Sequence, residues 1–191
     1  LTATRLAVRD LRTLDSRYYD LAAGAQRIFW SPDSRQVGYL GNGKLYRLVL
    51  ADGQSQAVCD IKALATGGAG ASWSNGNIFF TVADSAGIQV VSERGGDPHV
   101  VVPVLPREES DLHEPCVLPD NRGMAFVAHH LREGIGNICL WARGKRQRLA
   151  TFPEQRVNDV CWSQTGHLLF TRAPSTPGIW ALPFSLEKLK A

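Results

Sequence analysis

The stretch IFWSPDSRQVGYL, residues 28–40, has three counterparts in the chain: ASWSNGNIFFTV (71–82), PCVLPDNRGMAFV (115–127) and VCWSQTGHLLFTR (160–172). Trp30, Trp73, Val117 and Trp162 hold the same place in each, at spacings of 43, 44 and 45 residues. A few residues further on, every unit carries an aromatic: Tyr39, Phe80, Phe126 and Phe170. Short apolar runs repeating every 40–45 residues or so, separated by Gly/Asn/Asp turns, are the mark of a β-propeller blade.

A second set of segments alternates with the first: LAVRDLRTLD (6–15), LYRLVLADGQ (45–54), IQVVSERGGD (88–97), ICLWARGKRQ (138–147) and IWALPFSLEK (179–188). Four of these are followed by another short apolar run. Each repeat therefore reads as two hairpins, strands a and b and then c and d, and four antiparallel strands make one blade. The expected fold is all-β, with blades at 26–59, 70–103 and 113–152 and partial blades at 5–21 and 157–184. An insertion from His129 to Ile135 is expected between strands b and c of one blade. The chain opens on a c–d pair and stops after a strand c; families of such repeats normally close as a six- or seven-bladed ring, so it reads as an excerpt of one.

Composition agrees. Hydrophobic residues make up 44%, which is ordinary for a soluble domain. Eighteen glycines and ten prolines suit many turns and oppose long helices. The best helical candidate is the short run Ser185–Lys190. The longest apolar run, Val100–Leu105, is broken by Pro103, so no membrane helix is expected from this segment. The net charge of +3 is too small and too dispersed for nucleic-acid binding, which needs a basic face. The local group Arg143, Lys145, Arg146 and Arg148 reads as a solvated hairpin tip. Cys59, Cys116, Cys139 and Cys161 form no C-x-x-C pair, which excludes zinc-finger and redox-motif readings on spacing. Cys116 and Cys161 share a repeat position with Phe29 and Ser72, close enough for a disulfide, but buried free thiols are the favoured reading.

The repeated Trp reads as core, filling the space between one blade and the next. Trp30, Trp73 and Trp162 are all expected to be mostly buried. In the a–b turns, Ser31-Pro32-Asp33-Ser34 and Leu118-Pro119-Asp120-Asn121 place Pro where its fixed φ is wanted, followed by an Asp able to accept from backbone N–H groups.

The Trp30–Arg35 block, the Leu118–Arg122 block, the Gly95-Gly96 turn and the C-terminal run Pro183–Leu189 resemble the TolB-type, WD-like propeller repeat of bacteria. The likeness extends to the propellers attached to Ser/Thr kinases and CadC-like winged-helix regulators. It implies a non-catalytic binding or sensing ectodomain outside the cytoplasm, involved in signal transduction. Such a module would recognise a protein, peptide or small ligand. The competing class is the substrate-gating propeller of a serine peptidase of prolyl-oligopeptidase or tricorn type. Fold alone does not choose between them.

In propellers the d–a and b–c connections share the face around the channel mouth. The d–a side here offers Gln26, Arg27, Asp111, His113, Glu114, Asn158 and Asp159. The b–c side offers Asn42, Asp84, His129, His130, Arg132, Glu133 and Arg172. Arg27, His113, Glu114, Asn158 and Arg172 are the expected binding residues. They are expected to lie outside the packing, so that replacing His113 and Glu114 by Ala leaves the melting temperature nearly unchanged. Asp111, His113 and Glu114 with His129 or His130 contain metal-ligand chemistry, but no spacing enforces a site, and no metal or cofactor is assigned. A pH-sensing role for the histidines lacks defined partners. No G-x-S-x-G elbow or Cys–His pairing is present, so this chain is not expected to be an enzyme.

Overall fold

The computed structural model describes residues 4–61, 70–82, 87–132, 135–173 and 178–191. A two-stranded sheet comes first, β1 (Thr4–Arg9) and β2 (Ser16–Leu21). Three four-stranded antiparallel meanders follow. The first is β3 (Gln26–Trp30), β4 (Gln36–Gly41), β5 (Lys44–Val49) and β6 (Ser55–Asp60). The second is β7 (Ala71–Ser74), β8 (Asn77–Phe80), β9 (Gly87–Ser92) and β10 (His99–Pro103). The third is β11 (Glu109–Val117), β12 (Met124–His130), β13 (Gly136–Ala142) and β14 (Lys145–Phe152). A three-stranded sheet closes the series, β15 (Arg156–Ser163), β16 (His167–Ala173) and β17 (Ile179–Pro183). This is the blade sequence of a β-propeller.

The sheets stack in chain order, each joined to the next by its own apolar cluster. The repeated aromatics Tyr39, Phe80 and Phe126 are fully buried at these interfaces, and Phe170 nearly so. Tyr39 also satisfies its hydroxyl, which donates to Ser55 Oγ at 3.1 Å and accepts from the Ala22 N–H at 3.3 Å.

The repeated Trp position shows where the sequence expectation fails. Trp73 pairs across the strands with Ile78 and packs toward the preceding sheet, edge-on to Phe29 at 6.3 Å. It is 6% exposed, and its indole N–H donates to Glu93 at 2.8 Å. Trp30 pairs with Val37, but it is 51% exposed. The sheet on that side is β1–β2, which among the described residues has two strands. Trp162 is half-buried, with Phe184 edge-on at 6.0 Å. The same residue in the same motif is therefore buried only as far as its neighbour extends.

The position just before the Trp makes a repeating tie between blades. Ser72 Oγ accepts the Val117 N–H at 3.1 Å, and Cys116 Sγ accepts the Trp162 N–H at 3.2 Å. All four cysteines are free. Cys161, expected to be buried, is exposed, because among the described residues no later sheet lies against its face of β15–β17.

Local turns depart from the sequence reading in three places. Asp33 behaves as expected, accepting from the Ser31 hydroxyl at 2.7 Å and the Arg35 N–H at 3.0 Å. Its counterpart Asp120 instead sits in a 3-10 turn with left-handed backbone, φ 56°. Arg146 is not part of a solvated tip. It donates to the buried Glu109 at 2.5 Å and lies over the Phe126 ring at 4.9 Å. The alternation of β14 turns it inward while its neighbours Lys145 and Gln147 face solvent. Ser185–Lys190 is a turn closed by a bridge between its two ends, not a helix.

Candidate functional site

A cavity of about 320 Å³ opens where three sheets converge. Arg27 of β3, His113 and Glu114 of β11, His129 of β12 and Arg156–Asp159 of β15 line it. Four of the five expected binding residues, Arg27, His113, Glu114 and Asn158, are thus brought to one place. The fifth is not. Arg172 of β16 lies with its guanidinium 3.4 Å from the Trp180 ring centroid and 5.5 Å from that of Phe152, and so belongs to packing. Of the other connection residues named above, Asp84 and Glu133 lie outside the described residues.

Most of the described residues expected in connections are in strands, Asn42 and Arg132 excepted. Asp111, His113 and Glu114 all lie within β11, and His129 within β12. What gives these strand residues access to a cavity is a repeated β-bulge. The ladders slip between Gln26 and Phe29, between His113 and Cys116, and between Asn158 and Val160. At each slip one residue is left-handed: Arg27 (φ 55°), Glu114 (φ 48°) and Asp159 (φ 51°). All three stand three residues before the repeated Trp/Val position. In a non-glycine residue this backbone is disfavoured, and bulges re-aim side chains. The remaining blade has Gly70 at this position. A Cβ there would meet Glu114 Oε2 at 2.3 Å and Glu114 Cα at 2.7 Å. Glycine therefore leaves the space in which Glu114 lies, and from there Glu114 accepts from Arg27 at 3.4 Å.

Beside the cavity the imidazoles of His113 and His129 are buried, while the Asp111 side chain is 40% exposed. Asp111 and His129 are cross-strand partners, and His113 follows two residues on, so strand alternation puts all three on one face. Asp111 Oδ1 lies 2.8 Å from His113 Nε2 and 2.9 Å from His129 Nδ1. The other ring nitrogen of His129 lies 2.8 Å from the Val157 carbonyl, tying β12 to the next sheet. Burial acts to raise the Asp111 pKa, but hydrogen bonds from the two imidazoles outweigh it and hold the carboxyl well below the usual range. Burial pushes the Glu114 carboxyl up, with Arg27 opposing and Asp159 adding to the rise. His113 is 6% exposed and within reach of Asp111. Contrary to the expectation that it lies outside the packing, His113 is buried, and removing it would open a hole beside the Asp111 carboxylate.

Sequence reasoning missed Arg156, which has no counterpart motif, and placed His129 in an insertion. The period-2 spacing of Asp111 and His113 was a usable signal. Their meeting with His129 depends on ladder register, which the sequence alone does not print.

No family model and no curated protein matches the chain. Solved structures do. TolB from Agrobacterium tumefaciens superposes with a TM-score of 0.73 at 19% identity, covering 95% of this chain and 67% of that one. The fold is a TolB-like β-propeller. TolB from Acinetobacter baumannii gives a TM-score of 0.69 at 16% identity, over 93% of this chain and 45% of its own length. A chain of the nidogen/laminin complex gives 0.64 at 11% identity, over 86% and 62%. The TolB-like likeness thus spans nearly the whole of this chain, and only part of the relatives. Among the described residues, no helix is long and apolar enough to cross a membrane.

Proposed function

We propose that this TolB-like propeller is a non-catalytic binding module that takes a polar segment of a protein or peptide partner in the cavity of Arg27, Glu114 and Asn158. The observation that carries the reading is the set of left-handed bulge residues, Arg27, Glu114 and Asp159, at one repeat position in three blades. Each holds a charged side chain in a disfavoured backbone state costing on the order of 1 kcal/mol or more, and such strain concentrates at ligand sites. Two of the three, Arg27 and Glu114, line the cavity as an ion pair, and Asp159 lines it beside them. Cations (Arg27, Arg156), anions (Glu114, Asp159) and the Asn158 amide together complement a peptide's mixed donors and acceptors better than an apolar small molecule. The resemblance of the repeats to regulator-attached propellers supports a role as the extracytoplasmic sensing part of a bacterial regulator.

Peptides selected from a random displayed library on the wild-type propeller test this. Arg27→Ala and Asn158→Ala should each weaken them about tenfold or more, equal to about 1.4 kcal/mol. Arg143→Ala, on a distant turn, should not. Selected peptides that bind all three variants undiminished would refute the assignment of the cavity.

A further inference from the structure

Among the described residues, one group of three side chains combines imidazole and carboxylate donors within ligand distance: Asp111, His113 and His129, whose ligand atoms all lie within 4.8 Å of one another. We infer that these three residues form a binding site for a divalent transition-metal ion of the Zn²⁺ class, with a fourth position open to the cavity.

Three features of the geometry carry this. First, the donors converge. Asp111 Oδ1 stands between His113 Nε2 and His129 Nδ1, at 2.8 and 2.9 Å. An ion about 2.1 Å from each donor needs them about 3.4 Å apart, an opening of roughly half an ångström that side-chain torsions supply. Second, His129 already has the outer contact that metal-ligating histidines use. Its Nε2–H donates to the Val157 carbonyl at 2.8 Å, so that nitrogen keeps its proton, and a bound ion would take the place of the Nδ1 proton that faces Asp111. Third, the two imidazoles are buried while the carboxylate is open. The side chains of His113 and His129 are only 8% and 10% exposed and both residues line the cavity, whereas that of Asp111 is 40% exposed. A ligand or water can therefore complete the coordination. Two imidazoles with one carboxylate suit Zn²⁺ and its first-row neighbours rather than Ca²⁺ or Mg²⁺, which take oxygen donors. Glu114 and Asp159 offset the nearby charges of Arg27 and Arg156, so the cavity does not repel a cation as a whole.

The site shares the cavity of the proposed binding function but is read without any peptide, so the two readings fail separately. Tag-free wild-type propeller, stripped with chelator, is titrated with Zn²⁺ by calorimetry and with Co²⁺ by visible absorption. The expected result is one ion per chain and a Co²⁺ d–d spectrum of four-coordinate intensity. Zn²⁺ at a hundred times its Kd should raise the melting temperature by about 5–10 °C. Asp111→Asn keeps the side chain's shape and should weaken uptake by about a hundredfold or more. The triple variant His99→Ala/His130→Ala/His167→Ala removes every other histidine and should retain full uptake. Failure of the wild-type protein to take up Zn²⁺ stoichiometrically overturns the proposal. So does undiminished uptake by Asp111→Asn, or loss of uptake in the triple variant. Metal uptake unaffected by Arg27→Ala, together with peptides that ignore Arg27→Ala, would sink the peptide reading and leave the metal site standing.

Discussion

Trp30 and Trp73 occupy one repeat position, and replacing each by Ala separates motif from environment. At 6% exposure Trp73 hides nearly all of its surface, and at 51% Trp30 hides half. For a side chain presenting up to about 250 Å², these are roughly 235 and 120 Å² removed from water. At about 25 cal/mol per Å² the gross figures are about 6 and 3 kcal/mol. The alanine methyl keeps a share, and a compact denatured chain lowers both by about a quarter, leaving about 4 and 2 kcal/mol. Trp73→Ala also removes the indole donor to Glu93, worth about 1 kcal/mol. Urea unfolding followed by circular dichroism, with the remaining tryptophans as a second probe, gives both values from the shift in midpoint at constant slope. The expected order is Trp73→Ala clearly worse than Trp30→Ala, by about 2–3 kcal/mol. Equal losses, or a larger loss at Trp30, would refute the argument that the preceding sheet, not the motif, sets the contribution of the Trp.

Two further outcomes follow from the structure. Gly70→Ala drives a Cβ against the Glu114 backbone, which cannot swing away as a side chain tip can; the variant should lose about 1–3 kcal/mol in the same urea assay, and unchanged stability would show that Glu114 does not depend on that space. A thiol reagent at pH 8 should label one cysteine quickly, the exposed Cys161, and all four only in denaturant. Burial pushes the Cys59 and Cys116 thiols up to about 11, so only about one in a thousand is thiolate at pH 8, and their labelling should speed up as pH rises toward that value.

The sequence determined the blades by itself. Repeats at 43 to 45 residues, with apolar positions alternating along each run, admit few arrangements other than stacked four-stranded sheets. It also pointed to Arg27, His113, Glu114 and Asn158, because polar residues beside otherwise apolar strands stand out. Everything that depends on what lies across from a residue was left to tertiary structure. Trp30 is half exposed because, among the described residues, its neighbouring sheet has two strands, and Arg146 is largely covered because Glu109 waits across the sheet. Arg172 leaves the cavity for the Trp180 ring. The meeting of Asp111, His113 and His129 rests on the β11–β12 register. A slip of one residue would turn Asp111 and His113 away from His129. The bulges that aim Arg27, Glu114 and Asp159 are decided in the same way. Local propensity disfavours the left-handed state in Arg27 and Glu114 more than in Asp159, and in all three it coincides with a slip in the strand ladder.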